Sequence, residues 1–402
     1  GLQGKHNMTR KAGFFFFLFS VPGNQGIGDL GRKTEIMIDY IAQAGYSFWQ
    51  ILPLQVTGST HSPYQTLSSF AGDPIYINLD RLAEMDLIAQ SSVVNCNKFR
   101  NFVDYDEVRN FKENYFQRAF RTFKKNFSIY HNEYNQFLKE AYWLDDWAIF
   151  KLFRDLHDGL PWIEWDEEYK NYPESKEVDL HDYEDELFYI KFLQFIFNKQ
   201  LTDIREYAHK RHIKIMGDVP FYVDYDSADV WMNKEDFLLY TDCTPKFVAG
   251  CPPDYFSETG QRWGMPIYDF ENQEKNGFKF WCKRMHWTNH CYDMVRIDHF
   301  RAFDTYWKIP ASSPTAVYGE WVLGPAHKLI QAILDAVPDI ELIAEDLGDI
   351  RKEVIELEED FNIPGMDVIL FRMNPKQLKP QTKQNVCIYT GTHDNATVNQ
   401  EY

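Results

Sequence analysis

Short apolar runs alternate along this chain with segments whose apolar positions recur every three or four residues. Phe14 to Phe19 reads FFFFLF and Ser47 to Leu52 reads SFWQIL. Further runs begin at Ile213, Met294, Leu342, Met366 and Val386. Continuous apolar runs of this length predict strands buried on both faces. Between several of them, Glu35 to Ala44, Gly324 to Val337 and Ile350 to Asp360 carry helical spacing, the first stopped by Gly45. Strands that alternate with helices predict a parallel sheet, because a parallel crossover takes about a dozen residues or more.

Three of the runs end in an acidic residue, at Asp218, Asp298 and Glu345, and a fourth, Val386 to Tyr389, leads towards Gly391 to Asn395. A (β/α)8 TIM barrel places its chemistry at these strand ends, and an α/β barrel is the expected fold. Two insertions interrupt the alternation. Residues 81–205 predict a mainly helical unit, with Val108, Phe111, Tyr115, Ala119 and Phe123 on one face and Leu187, Ile190, Phe197 and Leu201 on another. Residues 219–290, rich in Pro, Gly, Trp and Tyr, predict an irregular, loop-built subdomain. The implied division is 1–80 for strands 1 and 2 with a loop, 81–205 helical, 206–218 for strand 3, 219–290 irregular and 291–402 for strands 4 to 7. Seven candidate strands against the eight of a closed barrel imply that the last strand and helix are missing. An open barrel has unpaired edges, so either truncation or a poorly stable, weakly active chain is expected.

Composition narrows the partners. The 402 residues hold 44% hydrophobic and 25% charged side chains, the balance of an ordinary globular protein. A net charge of −18 argues against nucleic acid, which is bound by clustered Lys and Arg, and leaves a neutral ligand compatible. The aromatic load is high, with 32 Phe, 24 Tyr and 11 Trp. Such rings fill cores and also wall sites for ring-shaped, weakly polar ligands. The six cysteines, Cys96, Cys243, Cys251, Cys282, Cys291 and Cys387, form no C-x-x-C pair, so neither a zinc site nor a disulfide framework is indicated and a reducing, cytoplasmic setting is expected. The FFFFLF run behind Arg10 and Lys11 is shorter than the roughly 7–15 residues of a signal-peptide core and ends at Pro22-Gly23, so it reads as the first strand. No run approaches the ~18 apolar residues of a membrane span.

The chemistry concentrates in three segments. In Val295-Arg296-Ile297-Asp298-His299-Phe300-Arg301, residues two apart share a strand face, so Arg296 and Asp298 point one way and Val295 and Ile297 into packing. A guanidinium beside a carboxylate lowers its pKa, which suits a nucleophile; a structural ion pair at a strand end is the competing reading. Leu342 to Gly348 delivers Glu345 to a strand end, where a partly apolar cleft raises a carboxyl's pKa as a general acid requires, while Asp346 reads as a helix cap. Tyr389-Thr390-Gly391-Thr392-His393-Asp394-Asn395 reads alone as a turn.

In that order, Arg-x-Asp-His, Ala-Glu-Asp-Leu-Gly and Thr-His-Asp-Asn resemble the α-amylase clan, and the fuller resemblance is to the amylomaltases, or 4-α-glucanotransferases. It takes in Gly26 to Gly31, Trp49 to Leu54, Ser62 to Gln65, Ser69 to Gly72, Pro252 to Phe256, Gly260 to Gly264 and Pro364 to Met366. The resemblance implies Asp298 as nucleophile, Glu345 as general acid/base and Asp394 as the carboxylate that stabilises the transition state. It implies Tyr64, Asp218, Arg296, His299, His393 and Asn395 around the glucose under attack, and Asp254, Tyr255, Phe256, Gln261 and Trp263 on a loop against the glucan. Substrates would be maltooligosaccharides, amylose or starch- and glycogen-type glucans, without a metal or organic cofactor. The implied reaction is a retaining double displacement with a sugar acceptor. A hydrolase of the same clan and a weakly active or non-catalytic glucan binder are the alternatives. Met265 and Ala302 depart from the usual Asn and Gly of the family's motifs, which changes loop contacts and removes no catalytic group.

Overall fold

The fold is taken from a computed structural model that describes residues 13–15, 28–58, 65–93, 105–348 and 350–366. Nine strands occur among the described residues: β1 (Gly13–Phe15), β2 (Phe48–Gln50), β3 (Lys214–Pro220), β4 (Phe247–Cys251), β5 (Gln261–Pro266), β6 (Met294–Asp298), β7 (Thr305–Pro310), β8 (Glu320–Leu323) and β9 (Leu342–Ala344). The longer helices are α1 (Arg32–Gln43), α2 (Tyr105–Lys125), α3 (Phe127–Glu140), α4 (Leu144–Leu156), α5 (Glu184–His209), α6 (Lys279–Cys291), α7 (Ala326–Ala336) and α8 (Lys352–Asp360).

The apolar runs form a parallel sheet in the order β1-β2-β3-β6-β9. Phe48, Trp49 and Gln50 are all buried, as are Met294 to Ile297 and Leu342 to Ala344, because helices cover one face and the sheet's own side chains fill the other. Ala344 makes a further parallel bridge to Gly365, just before the next predicted run at Met366, whose residues from 367 on lie outside those described. The run at Val386 lies outside them as well. The predicted helices all form, with α1 turning Thr34, Ile38 and Ile41 inward and ending before Gly45 at φ +87°.

Within the helical unit, Phe123 sits among Phe127, Tyr130, Tyr134, Phe188, Phe192 and Phe195, with ring centroids 4.8–5.9 Å away. This is where much of the aromatic load goes. Helix α5 clamps the 72–78 segment: the Gln194 amide donates to Gly72 O and accepts from Gly72 N, and Gln200 does the same at Asn78. The Ser69 to Gly72 motif is thus held by buried polar contacts, including Ser69 N donating to the Asp229 carboxylate at 2.8 Å.

The stretch read as irregular holds regular structure. β4 and β5 join β7 and β8 in an antiparallel sheet of order β5-β4-β7-β8, so residues 305–323, assigned to the barrel from sequence, pair with the 219–290 segment. These strands are short and separated by long connections, and period-two reading misses them because Trp, Lys and Pro interrupt the alternation.

Candidate active site

The C-terminal ends of β3, β6 and β9 bring three carboxyl groups to one guanidinium. Register pairs Asp218 with Arg296 and Ile297 with Ala344, so the sheet itself aligns the groups. Arg296 Nη1 lies 2.6 Å from Asp218 Oδ1, and Nη2 lies 3.3 Å from Asp298 Oδ1. Arg296 and Asp218 are fully buried, whereas 28% of the Asp298 side chain remains open to the cleft. Val295 and Ile297 are buried in packing, as the strand alternation requires.

Glu345 follows β9 directly. Its backbone N–H donates to Ile297 O at 3.0 Å and its carbonyl accepts from Phe300 N at 3.1 Å, which continues the ladder past the strand. The carboxylate accepts from His299 N at 3.0 Å and Leu347 N at 3.3 Å. Those contacts fix the Glu345 side chain against the end of β6. His299 adopts φ +61°, a left-handed conformation uncommon for a residue with a side chain, and this turn exposes its N–H to Glu345. Its half-buried imidazole, pushed down to about 3 by desolvation and then by Arg301, is neutral and stands 5.1 Å from the Trp263 ring and 6.1 Å from Tyr222.

The electrostatics differ from the sequence expectation in one respect. Arg296 does act to lower the Asp298 pKa, yet burial is the larger influence, and Asp218 and Glu345 add to it, so Asp298 rises above the ordinary carboxylate range. Glu345 rises too, first through burial, against the lowering effect of Arg296 and the two backbone N–H groups. Burial thus raises both carboxyls while Arg296 opposes the rise at each.

The loop residues are placed as follows. Tyr255 and Phe256 are 95% and 91% exposed, with ring centroids 5.4 Å apart. Asp254 Oδ1 accepts from Phe256 N and Ser257 N and so organises the turn that presents them. Gln261 accepts from Trp263 Nε1 at 2.9 Å, which sets the indole beside His299. Tyr64, His393, Asp394 and Asn395 lie outside the described residues. Sequence reading passed over Tyr222, buried beside His299, and Asp224, whose carboxyl is pushed up to about 7 by burial and accepts from the Thr66 backbone. Both lie in the Pro220 to Asp226 stretch after β3, and their position past a barrel-type strand end was the available signal. A cavity of about 460 Å³ lined by Arg109, Lys112, Trp147 and Arg154 lies between the helical unit and the 56–75 segment and shares no residue with this cleft.

The family model described as 4-alpha-glucanotransferase matches residues 16–402. A 4-alpha-glucanotransferase of Aquifex aeolicus is 40% identical over 392 residues, covering 96% of this chain and 79% of that protein. One of Thermus thermophilus is 40% identical over 403 residues, covering 97% and 79%. The chloroplastic/amyloplastic enzyme of Solanum tuberosum is 36% identical over 404 residues, covering 98% and 70%. Among solved structures, an amylomaltase from Streptococcus agalactiae in complex with acarbose superposes with a TM-score of 0.82 at 31% identity, over 89% of this chain and 74% of the other.

Proposed function

The chain belongs to the 4-alpha-glucanotransferase family, and we propose that the carboxylates at the ends of β3, β6 and β9 carry its reaction. It transfers α-1,4-glucan segments between chains. Donors and acceptors are maltooligosaccharides, amylose or starch- and glycogen-type glucans, and the setting is cytoplasmic, in keeping with the free Cys243, Cys251, Cys282 and Cys291. The five parallel strands and the Ala344–Gly365 bridge support a (β/α)8 barrel.

The observation that carries the reading is geometric: Asp298, partly open to the cleft and 3.3 Å from Arg296, and Glu345, held by His299 N, stand at the ends of the neighbouring strands β6 and β9. With the proton on Glu345, Asp298 is ionised and partly open to the cleft. Its carboxylate forms a bond to the anomeric carbon as the glycosidic C–O bond breaks, and the Glu345 proton passes to the leaving 4-oxygen. Asp394 stabilises the positive charge that develops at the ring. A retaining enzyme of this kind holds its two carboxyl groups roughly 5–5.5 Å apart. Glu345, now a base, takes the proton from the 4-hydroxyl of an incoming chain, whose oxygen displaces Asp298 and restores the α-1,4 bond. Buried Asp218 and Arg296 line the attacked glucose, with Tyr64, His299, His393 and Asn395, while Asp254, Tyr255, Phe256, Gln261 and Trp263 hold the chain beyond it. The aromatic walls favour sugar over water as acceptor by excluding solvent.

Incubation with maltotriose tests this. A ladder of longer oligosaccharides plus glucose is expected; shorter products alone identify a hydrolase, and binding without turnover a non-catalytic protein. Asp298→Asn should lower turnover on the order of 10³-fold or more with the fold intact, and substantial residual activity overturns the nucleophile assignment.

A further inference from the structure

The antiparallel sheet carries a second group of exposed aromatics that the family reading does not use. Trp321 on β8 is 48% exposed and Tyr318, three residues earlier, is 73% exposed, with Val317 and Leu323 also open. Scattered exposed apolar residues are ordinary, but this group is built rigidly. Trp307 lies opposite Trp321 across the β7–β8 pair, their rings edge to face at 5.3 Å. Its Nε1 donates to Ala316 O at 2.8 Å, and Gly319 lies so close that an added Cβ would meet the indole at 2.3 Å. Arg262 fastens the same connection by donating to Ser313 O and Ala311 O, both at 3.1 Å.

The group is continuous with the cleft on two sides. The Arg301 guanidinium lies 4.9 Å over the Trp321 ring, and Arg301 is two residues from His299 in the turn that holds Glu345. Ala316 N donates to Thr259 O at 3.1 Å, which joins the connection to the loop bearing Tyr255 and Phe256. A rigid ring loses little conformational freedom when a ligand stacks on it, and a pyranose presents an apolar C–H face that suits such a ring. A chain with a net charge of −18 repels a second copy of itself, whereas a neutral glucan meets no such field.

We infer that Trp321 and Tyr318 form an outlying glucan-binding platform that extends the cleft and selects long chains. The inference rests on the transferase reading above and adds a specificity site to it. Residues of a long glucan beyond the reach of the catalytic carboxylates stack on the platform, and a trisaccharide gains less from it.

The test compares transfer from amylose with disproportionation of maltotriose. Trp321→Ala should lower the ratio of kcat/KM for amylose to that for maltotriose about tenfold, mainly through KM for amylose, and Trp321→Phe should restore most of it. Tyr318→Ala, at a more exposed position, should lower the ratio in the same direction and guards against a folding defect at Trp321. Maltoheptaose binding to Asp298→Asn should weaken when Trp321→Ala is added. A wild-type protein that transfers while both alanine variants keep the ratio within about twofold overturns this inference alone. So does a variant that changes only the sedimentation of the protein, which assigns the surface to a second copy pairing along β8. A wild-type protein that makes no ladder from maltotriose overturns the transferase reading, and the platform with it.

Discussion

Arg296 touches both a buried and a cleft-facing carboxylate, at 2.6 Å from Asp218 and 3.3 Å from Asp298. Asp218 both occupies one arm of the guanidinium and raises the proton affinity of Asp298. Removing its charge should therefore leave Arg296 freer to act on Asp298 and Glu345, and both carboxyls should lose their protons at lower pH. In Asp218→Asn the alkaline limb of the kcat/KM profile is expected to move down by on the order of one pH unit, whatever happens to the maximum rate. A pH–rate series on both proteins checks it, and an unmoved limb would show that Asp218 does not tune the pair. At this scale the candidate site groups were legible because strand alternation places Arg296 and Asp298 on one side. The sign of the Asp298 shift was not, since it depends on how deeply neighbours from other strands enclose the carboxyl.

At the scale of elements, the site depends on how closely β3 lies against α6 and its end. Gly217 sits in β3 beside Asp218, and an added Cβ would meet the Tyr292 ring at 2.3 Å. Tyr292 is itself buried just past α6, so neither partner has room to yield. Gly217→Ala should cost about 1–3 kcal/mol of stability by overpacking, read as a lower denaturant midpoint at an unchanged slope. Gly277, by contrast, has nothing within 4 Å of such a Cβ but a φ of +73°, so Gly277→Ala should lose stability through backbone strain alone, by about 1 kcal/mol. Denaturant titrations of both variants check the pair. The strands and helices of the parallel sheet were readable because each is a continuous apolar run or a helical stripe. β4, β5, β7 and β8 were not, because each is short and finds its partner only after a long connection.

For the molecule as a whole, several carboxyls are buried at a cost that pH reveals. Asp236 is buried, its Oδ1 lacks a partner among the described residues, and burial, then Glu235 and Asp269, push it up to about 7 from 3.8. A raised acid binds a proton in the folded state that the unfolded state has already released. Its contribution is therefore full below about 4 and is lost as pH rises towards 7. Asp236→Asn should stabilise the protein relative to wild type at pH 8 by a few kcal/mol, with the difference vanishing near pH 4. His299 acts with the opposite sign, since its lowered pKa makes stability rise with pH, so the variant must be compared with wild type at each pH rather than read from the wild-type curve alone. Thermal melts at matched pH check it.

The sequence by itself determined the alternating α/β plan, the helical insertion and the residues that meet at the strand ends, because these follow from local periodicity and from motifs whose order survives in one dimension. Tertiary structure decided the rest. Only the packed chain shows that Glu345 is held by the His299 turn, that burial outweighs Arg296 at Asp298, and that β4, β5, β7 and β8 form a separate sheet with Trp321 on its edge strand. Desolvation and the pairing of distant strands depend on which groups come together in space, and no window along the chain contains both partners.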